Sequence, residues 1–247
     1  MQKLFAVIDL LSAPLKEWRR YRKNNVSVSN AAPMGVDELT TLLDGRNLMP
    51  IIAPEDWPIW VNVLHGKSVV IIGGYVGIAT RRVTERVSQL EELHVYEPVP
   101  KFAEQNKNID ERVTVFNEAI WEDNKDITMQ VNGDHSYTGD SNRIVLDKKI
   151  TFEEMTVASI SVAQMVSRIT NINDYSIIMN CEGAEYTIIR DLMSQTHTPK
   201  SILFQSHELK DGTLLQLYTT RLLLAESGYF PVLNLNLAWD IWTKAHK

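Results

Sequence analysis

The sequence is poor in the features that mark several classes of protein. It contains one cysteine, Cys181, so an internal disulfide and a cysteine-based zinc cluster are both excluded. No stretch is apolar for the ~18 residues that a membrane span requires. The opening run Leu4–Leu11 contains Asp9 and lacks a clear signal-cleavage site. We therefore expect a protein of the reducing cytoplasm that has no integral membrane span.

An excess of basic residues is also absent. The 25 lysines and arginines are outnumbered by 31 aspartates and glutamates, which gives a formal charge of −6. This balance disfavours sequence-independent binding to nucleic acid. Hydrophobic residues make up 44% of the chain and charged residues 23%, which is the composition of a globular domain. Nothing in the sequence indicates an oligomeric state.

We divide the chain into a helical extension over residues 1–60 and a folded domain over residues 61–247. Basic residues are concentrated in the first 25 positions of the extension. The segment 1–25 is typical of a helix that docks on the domain through its apolar side. A peripheral helix on an anionic membrane would have the same pattern, so that alternative stays open.

The domain alternates buried strands with helical stretches. The run Ser68–Ile72 is continuously apolar after its first residue, as in a strand that is buried on both faces. A helical stretch follows over residues 77–90, and Leu93–Tyr96 then repeats the apolar pattern. Further along the chain, the alternation predicts a helix over about residues 182–195 and the strand Ser201–Gln205. The alternation predicts an α/β fold with a mostly parallel sheet and helices on both faces. A polar insertion over residues 121–158 predicts a β-hairpin or lid, and residues 230–243 predict a C-terminal antiparallel hairpin.

A glycine-containing turn follows the first predicted strand and opens a helix. Glycines at this position let the backbone approach a ligand closely, and the helix start supplies free N–H groups. A dinucleotide fingerprint requires glycines at the first, third and sixth positions, which here hold Gly73, Tyr75 and Ile78. The spacing therefore argues against NAD or FAD and against an oxidoreductase.

Glu97 ends the next predicted strand, 24 residues after Gly73 in the sequence. A carboxylate at the end of the second strand is placed to accept hydrogen bonds from the ribose hydroxyls of a nucleoside. Together with the glycine turn, Glu97 predicts a nucleoside-containing cofactor.

These motifs resemble those of a known family. Val70–Gly77 and Val95–Pro98 look like the cofactor-binding half of the FkbM-type methyltransferases. Met179–Glu185 is similar to the family's Asp-x-Glu-Gly-Ala-Glu run, and Gln205-Ser206-His207 resembles its Glu-x-His. The resemblance covers about residues 67–235 and implies a class I methyltransferase (Rossmann-like) fold with S-adenosylmethionine as the cofactor. It further implies methyl transfer to a hydroxyl of a sugar, glycoconjugate or secondary metabolite.

The resemblance also suggests site residues. Glu118 or a neighbouring backbone N–H would read the adenine edge. The candidates for a general base are Glu182, Glu185 and His207, of which His207 has the natural pKa for that role. Glu182 would hold the acceptor or the cofactor's amino group. No metal is expected, although Glu182, Glu185 and His207 would be the ligands of a metal-dependent variant. The implied catalytic residues are His207, Glu182 and Asn180, and the implied cofactor-binding residues are Gly73, Gly74, Tyr75, Gly77, Glu97, Asn117, Glu118 and Ala119.

The sequence departs from the family pattern at four places. Ile71 replaces an acid that helps to hold the methionine end of the cofactor, and Ile178 replaces a lysine. Asn180 replaces the aspartate of the main motif, so this position carries no charge and cannot act as a base. Ser161-Val162-Ala163 stands where Thr-Leu-Asp is typical. The alternative function is therefore a catalytically weakened binding or scaffold protein on the same fold.

Overall fold

A computed structural model describes residues 64, 66–132, 135–137, 153–206, 215–234 and 239–244. The predicted extension over residues 1–60 lies outside these ranges. The elements are, in chain order, β1 (Ser68–Ile72), α1 (Ile78–Arg86), β2 (Glu92–Tyr96), α2 (Pro100–Asn106), β3 (Val113–Phe116), β4 (Ala119–Trp121), β5 (Ile127–Asn132), β6 (His135–Tyr137), β7 (Glu153–Val157), β8 (Ser159–Ser161), α3 (Val162–Ser167), β9 (Tyr175–Met179), α4 (Glu185–Met193), β10 (Ser201–Gln205), α5 (Leu215–Glu226), β11 (Tyr229–Asn234) and β12 (Trp239–Lys244).

Seven strands form the central sheet in the spatial order β11-β12-β10-β9-β1-β2-β3. Strands β10, β9, β1, β2 and β3 pair in parallel. Strand β12 runs antiparallel to both β10 and β11. The predicted parallel sheet and C-terminal antiparallel hairpin are therefore confirmed.

The sheet separates two hydrophobic cores because side chains alternate between its faces. In β1, Val70 and Ile72 face the core that contains residues of α3, α4 and α5. Val69 and Ile71 face the other core, which contains residues of α1. All five residues of β1 are buried, which explains its apolar run. Helices on both faces are thus confirmed, and no helix within the described ranges has the length and hydropathy to cross a bilayer.

The polar insertion contains more strands than a hairpin. β5 pairs antiparallel with β6 on one side and with β7 on the other, forming a small three-stranded sheet that we call the inserted sheet. β4 and β8 form a separate parallel pair. Residues 138–152, between β6 and β7, lie outside the described residues. The inserted sheet packs against the main domain through Val131 and Met155, which contact a cluster of Val76, Val99 and Phe102.

Candidate functional site

The candidate site lies where parallel strands β2, β1 and β9 end side by side. The register places Ile72 beside both Tyr96 and Met179, the last residues of the two neighbouring strands. The next residues along these strands are Gly73, Glu97 and Asn180. The ladders continue one step beyond the strands, because the Gly73 N–H donates to the Tyr96 oxygen and the Asn180 N–H donates to the Ile72 oxygen, each at 2.9 Å. Parallel sheets bind ligands at this edge.

Residues 73–77, which we call the glycine loop, connect β1 to α1. Gly73 and Gly77 have φ values of 86° and 82°, in the left-handed region that favours glycine. A Cβ on Gly74 would meet the Val95 side chain at 2.4 Å. Gly77 is the N-cap of α1 and lacks a side-chain cap. The loop therefore uses glycine where the backbone must turn sharply or approach its neighbours closely.

Glu97 is 3% exposed and anchors the glycine loop to β2. Its Oε2 accepts from the Tyr75 N–H at 2.8 Å, and its Oε1 accepts from the Val99 N–H at 2.9 Å. Burial raises the pKa of Glu97, whereas these two N–H groups and that of Gly74 lower it. A carboxylate has about four acceptor positions, so three backbone donors leave capacity for about one further donor. The ribose contact expected at Glu97 stays a prediction.

The segment after β3 is the one expected at the adenine. The Asn117 amide donates to the backbone oxygens of Glu97 and Pro98 at 2.9 and 2.8 Å, so Asn117 ties this segment to the end of β2. The Glu118 carboxylate forms a two-pronged pair with Arg168, at 2.5 and 3.3 Å. The Ala119 N–H donates to the Ala158 oxygen at 2.9 Å. Two of the groups that the sequence offered for the adenine edge are thus engaged within the protein.

The Asn180 side chain presents a polar group at this edge. Its Oδ1 is buried and accepts no hydrogen bond from the part of the chain that the structure describes. A buried acceptor without a donor is costly, so such a group is a natural place for a ligand donor to bind. Ile71, by contrast, is 1% exposed and packs in the core that contains α1. It offers no polar group to a ligand.

The loop between β9 and α4 holds the two glutamates of the Glu-Gly-Ala-Glu run in different ways. The Glu185 carboxylate is fully buried and accepts from the Cys181 and Gly183 N–H groups at 2.7 and 2.8 Å. Glu182 has a φ of 52° and precedes α4, which begins at Glu185. The predicted helix start at about Glu182 is therefore three residues too early, because the left-handed backbone of Glu182 cannot continue a helix. Glu185 therefore shapes the loop, and Glu182 stays a candidate for the acceptor site.

The third proposed catalytic residue, His207, lies outside the described residues. The metal alternative, which uses Glu182, Glu185 and His207, therefore stays a hypothesis. Glu185 is a poor ligand in this conformation because both of its oxygens already accept backbone N–H groups. Within the described ranges, no three His, Cys, Asp or Glu side chains form a metal-binding group.

Two buried polar residues that the sequence motifs do not indicate, Asn106 and Thr80, lie beneath the glycine loop. The Thr80 hydroxyl donates to Asn106 Oδ1 at 2.5 Å, and Asn106 Nδ2 donates to the Tyr75 oxygen at 2.6 Å. The only sequence signal is that each polar residue lies on the buried face of its helix. These side chains connect α1 and α2 to the loop.

The strand order, with antiparallel β12 inserted beside β10, defines the class I methyltransferase fold. Comparison with protein-family models and with curated proteins finds no match to this chain. Among solved structures, an FkbM methyltransferase from Methylobacillus flagellatus is 13% identical with a TM-score of 0.45. That match covers 72% of this chain and 43% of the other, so this chain spans less than half of that protein.

Two further solved structures are similar to this chain. An S-adenosylmethionine-dependent O-methyltransferase from Thermotoga maritima is 10% identical with a TM-score of 0.45, and the match covers 87% of this chain and 72% of that one. A protein from Corynebacterium glutamicum is 9% identical with a TM-score of 0.47, covering 94% and 98% of the two chains. These likenesses concern the fold alone, so the function proposed below rests on the residues of this chain.

Proposed function

We propose that the protein is an S-adenosylmethionine-dependent methyltransferase that transfers a methyl group to oxygen. One observation carries this proposal. The glycine loop, the buried carboxylate of Glu97 and the buried amide oxygen of Asn180 lie at one edge of three neighbouring parallel strands. Ligands of doubly wound sheets bind at this edge.

The residues at this edge suit the parts of the cofactor. The glycine loop brings backbone close to the ligand, and the start of α1 supplies N–H groups. Glu97 retains acceptor capacity for about one ribose hydroxyl. Asn180 Oδ1, which accepts no hydrogen bond from the described residues, is at the same edge and suits the hydroxyl of the acceptor. Asn117 holds the end of β2 in place beside the segment that we assign to the adenine.

When bound, S-adenosylmethionine supplies a methyl group that is already activated by the sulfonium charge. The protein then needs to align the acceptor and exclude water. We assign proton removal from the acceptor hydroxyl to His207, since a general base is most effective when its pKa lies near the working pH. Asn180 and Glu182 would orient the acceptor. By resemblance to the FkbM-type enzymes, the acceptor is a hydroxyl of a sugar, glycoconjugate or secondary metabolite.

A second candidate is a binding or scaffold protein that keeps the fold with weakened chemistry. The observation that favours it is Ile71, which packs in the core where a cofactor-binding acid is expected. Asn180 adds to this because its amide carries no charge. The two candidates differ in whether methyl transfer occurs.

Calorimetry with S-adenosylmethionine and S-adenosylhomocysteine tests the proposal. We expect the wild type to bind both, and Glu97→Ala to weaken binding by about 1–3 kcal/mol because loop N–H groups lose their acceptor. Glu104→Ala is the matched control, since Glu104 lies on exposed α2 surface and pairs with Lys107. A folded wild type that gives no heat and no thermal shift with millimolar cofactor would overturn the proposal. Binding without methyl transfer to any hydroxyl acceptor would favour the second candidate.

A further inference from the structure

The backbone of Tyr75, in the middle of the glycine loop, adopts a conformation that needs outside support. Its φ of 43° lies in the left-handed region, where a residue with a Cβ is strained. Both of its backbone polar groups bond to side chains from α2 and its approach. The Tyr75 N–H donates to Glu97 Oε2 at 2.8 Å, and the Tyr75 oxygen accepts from Asn106 Nδ2 at 2.6 Å. These two bonds fix the path of the loop.

The Asn106 amide uses both of its ends. Nδ2 donates to the Tyr75 oxygen and, at 2.9 Å, to the Phe102 oxygen one helical turn earlier. Oδ1 accepts from the Thr80 hydroxyl at 2.5 Å. Asn106 and Thr80 are both fully buried. Because the Tyr75 and Phe102 carbonyl oxygens can only accept, Nδ2 must face them, and the Thr80 hydroxyl completes the amide by donating to Oδ1.

The amide also lies directly under two of the loop glycines. A Cβ on Gly74 would be 3.1 Å from Asn106 Nδ2, and a Cβ on Gly77 would be 3.3 Å from Asn106 Oδ1. The side chain therefore supports the loop along most of its length. Movement of Asn106 would move the backbone that faces the candidate ligand.

We propose that Asn106 and Thr80 are positioning residues for the cofactor site, acting through the glycine loop and touching no ligand. The identity of the ligand rests on the proposed function, whereas the support of the loop does not. Glu97 accepts from the N–H of the strained residue Tyr75, and Asn106 donates to its carbonyl oxygen. Ligand affinity consequently depends on a side-chain network that lies beneath the loop.

The network offers isosteric variants. Asn106→Asp keeps the shape but replaces two donors with an acceptor that faces two carbonyl oxygens. Thr80→Val keeps the shape and leaves the buried Asn106 Oδ1 without its donor, whereas Thr80→Ser keeps the hydroxyl. Tyr229→Phe is a control for the loss of a buried hydrogen bond elsewhere. The Tyr229 hydroxyl donates to the Pro199 oxygen, just before the amino end of β10.

The experiment measures three quantities for each variant: the melting temperature, hydrogen exchange at residues 73–77 without ligand, and the affinity for S-adenosylhomocysteine by calorimetry. We expect Thr80→Val to speed loop exchange and weaken affinity, each by about tenfold, which corresponds to the loss of one buried hydrogen bond. Asn106→Asp should change both quantities by more, because it loses two hydrogen bonds and sets an acceptor against two carbonyl oxygens. Thr80→Ser should restore both. Tyr229→Phe should lower the melting temperature without changing loop exchange or affinity.

The outcomes separate this inference from the proposed function. Variants that melt earlier but keep wild-type loop exchange and affinity would overturn the positioning role. If the wild type binds no S-adenosylhomocysteine, the proposed function fails and loop exchange alone decides the positioning role. If Asn106→Asp does not fold, the comparison of Thr80→Val with Thr80→Ser decides it.

Discussion

Gly73 lies so close to Asn180 that a Cβ on Gly73 would be 2.0 Å from the Asn180 backbone oxygen. The backbones of β1 and β9 therefore stay in close contact just beyond their paired residues, and this contact is possible because Gly73 has no Cβ. Glycine is also required by the φ of 86° at this position. The Asn180 backbone, and with it the Oδ1 that we assign to a ligand, is placed by a residue more than 100 positions earlier in the sequence.

The first prediction compares two glycines with similar backbone conformations. Gly228 has a φ of 84°, and a Cβ there would meet nothing within 4 Å. Gly228→Ala should cost about 1–2 kcal/mol of unfolding free energy from backbone strain alone. Gly73→Ala should cost about 1–3 kcal/mol more, because the methyl group is forced against backbone. Urea unfolding measures both. Equal losses would show that the close approach of Gly73 to Asn180 is not rigid.

The second prediction concerns the buried ion pair between α5 and β12. Arg221 donates to both oxygens of Asp240, at 2.7 and 2.6 Å, and the Asp240 side chain is fully buried. Asp240→Ala should cost about 3–5 kcal/mol, because it leaves a buried guanidinium without its anion. The double variant Asp240→Leu, Arg221→Met should lose less than Asp240→Ala alone. A double variant that is less stable than Asp240→Ala in urea unfolding would contradict this account.

The third prediction is a pH dependence that originates at His94. Burial lowers the pKa of His94, the nearby Glu92 carboxylate opposes this, and Arg168 lowers the pKa further. The unfolded chain therefore binds a proton near pH 6.5 that the folded protein does not. Stability from His94 is present above pH 6.5 and is lost as the pH falls below it.

The variant His94→Gln isolates this contribution. Urea unfolding at several pH values between 5 and 7.5 should show a shallower loss of stability for the variant than for the wild type. Hydrogen bonds to Glu92 outweigh its burial and lower its pKa from the usual 4.5. Glu92 therefore changes the stability of the protein only at pH values below those at which His94 does. If the unfolding free energies of the two proteins fall in parallel with pH, His94 is not the cause of the pH dependence.

The fourth prediction uses the charge difference between the two forms of the cofactor. S-adenosylmethionine carries a sulfonium charge that S-adenosylhomocysteine lacks. Asn180→Asp introduces a carboxylate at the proposed methyl-transfer edge, so affinity for the cationic form should rise severalfold relative to the neutral form. Asn180→Ala should not change this ratio. Calorimetry with both ligands gives the ratio, and an unchanged value in Asn180→Asp would place Asn180 away from the sulfonium.

The fifth prediction concerns the proposed base. His207→Ala should reduce turnover far more than cofactor affinity, because a general base acts in the transition state and does not hold the donor. Raising the pH should partly restore the turnover of this variant, because a larger fraction of the acceptor hydroxyl is then deprotonated. Equal losses of turnover and affinity would indicate that His207 shapes the cofactor site.

Much of the fold could be predicted because buried strands leave a strong local pattern. The strand Ser201–Gln205 was predicted with its observed bounds, and its first four residues are all buried. Helix ends were less accurate. The sequence suggested a helix over residues 77–90, but α1 ends at Arg86 because Val87 turns to an extended conformation. Val87 and Leu90 are nevertheless buried in the same core, so their spacing resembled a longer helix.

The candidate site was predictable in position but less so in its contacts. The sequence placed Gly73 and Glu97 at neighbouring strand ends, which the parallel register confirms. It could not predict that Glu97 accepts loop N–H groups, or that Glu118 pairs with Arg168, 50 positions away. Such contacts depend on where loops and helices meet in space. No local pattern encodes those meetings.

The contact between the inserted sheet and the glycine loop has a consequence for protein engineering. Val131 and Met155 of the insertion share a cluster with Val76, Val99 and Phe102 of the main domain. The segment between β4 and β8 therefore cannot be replaced independently of the main domain. A chimera that receives this segment from another protein of the same fold would also need Val76, Val99 and Phe102 or matching partners, because the apolar contact with the main domain would otherwise pack poorly.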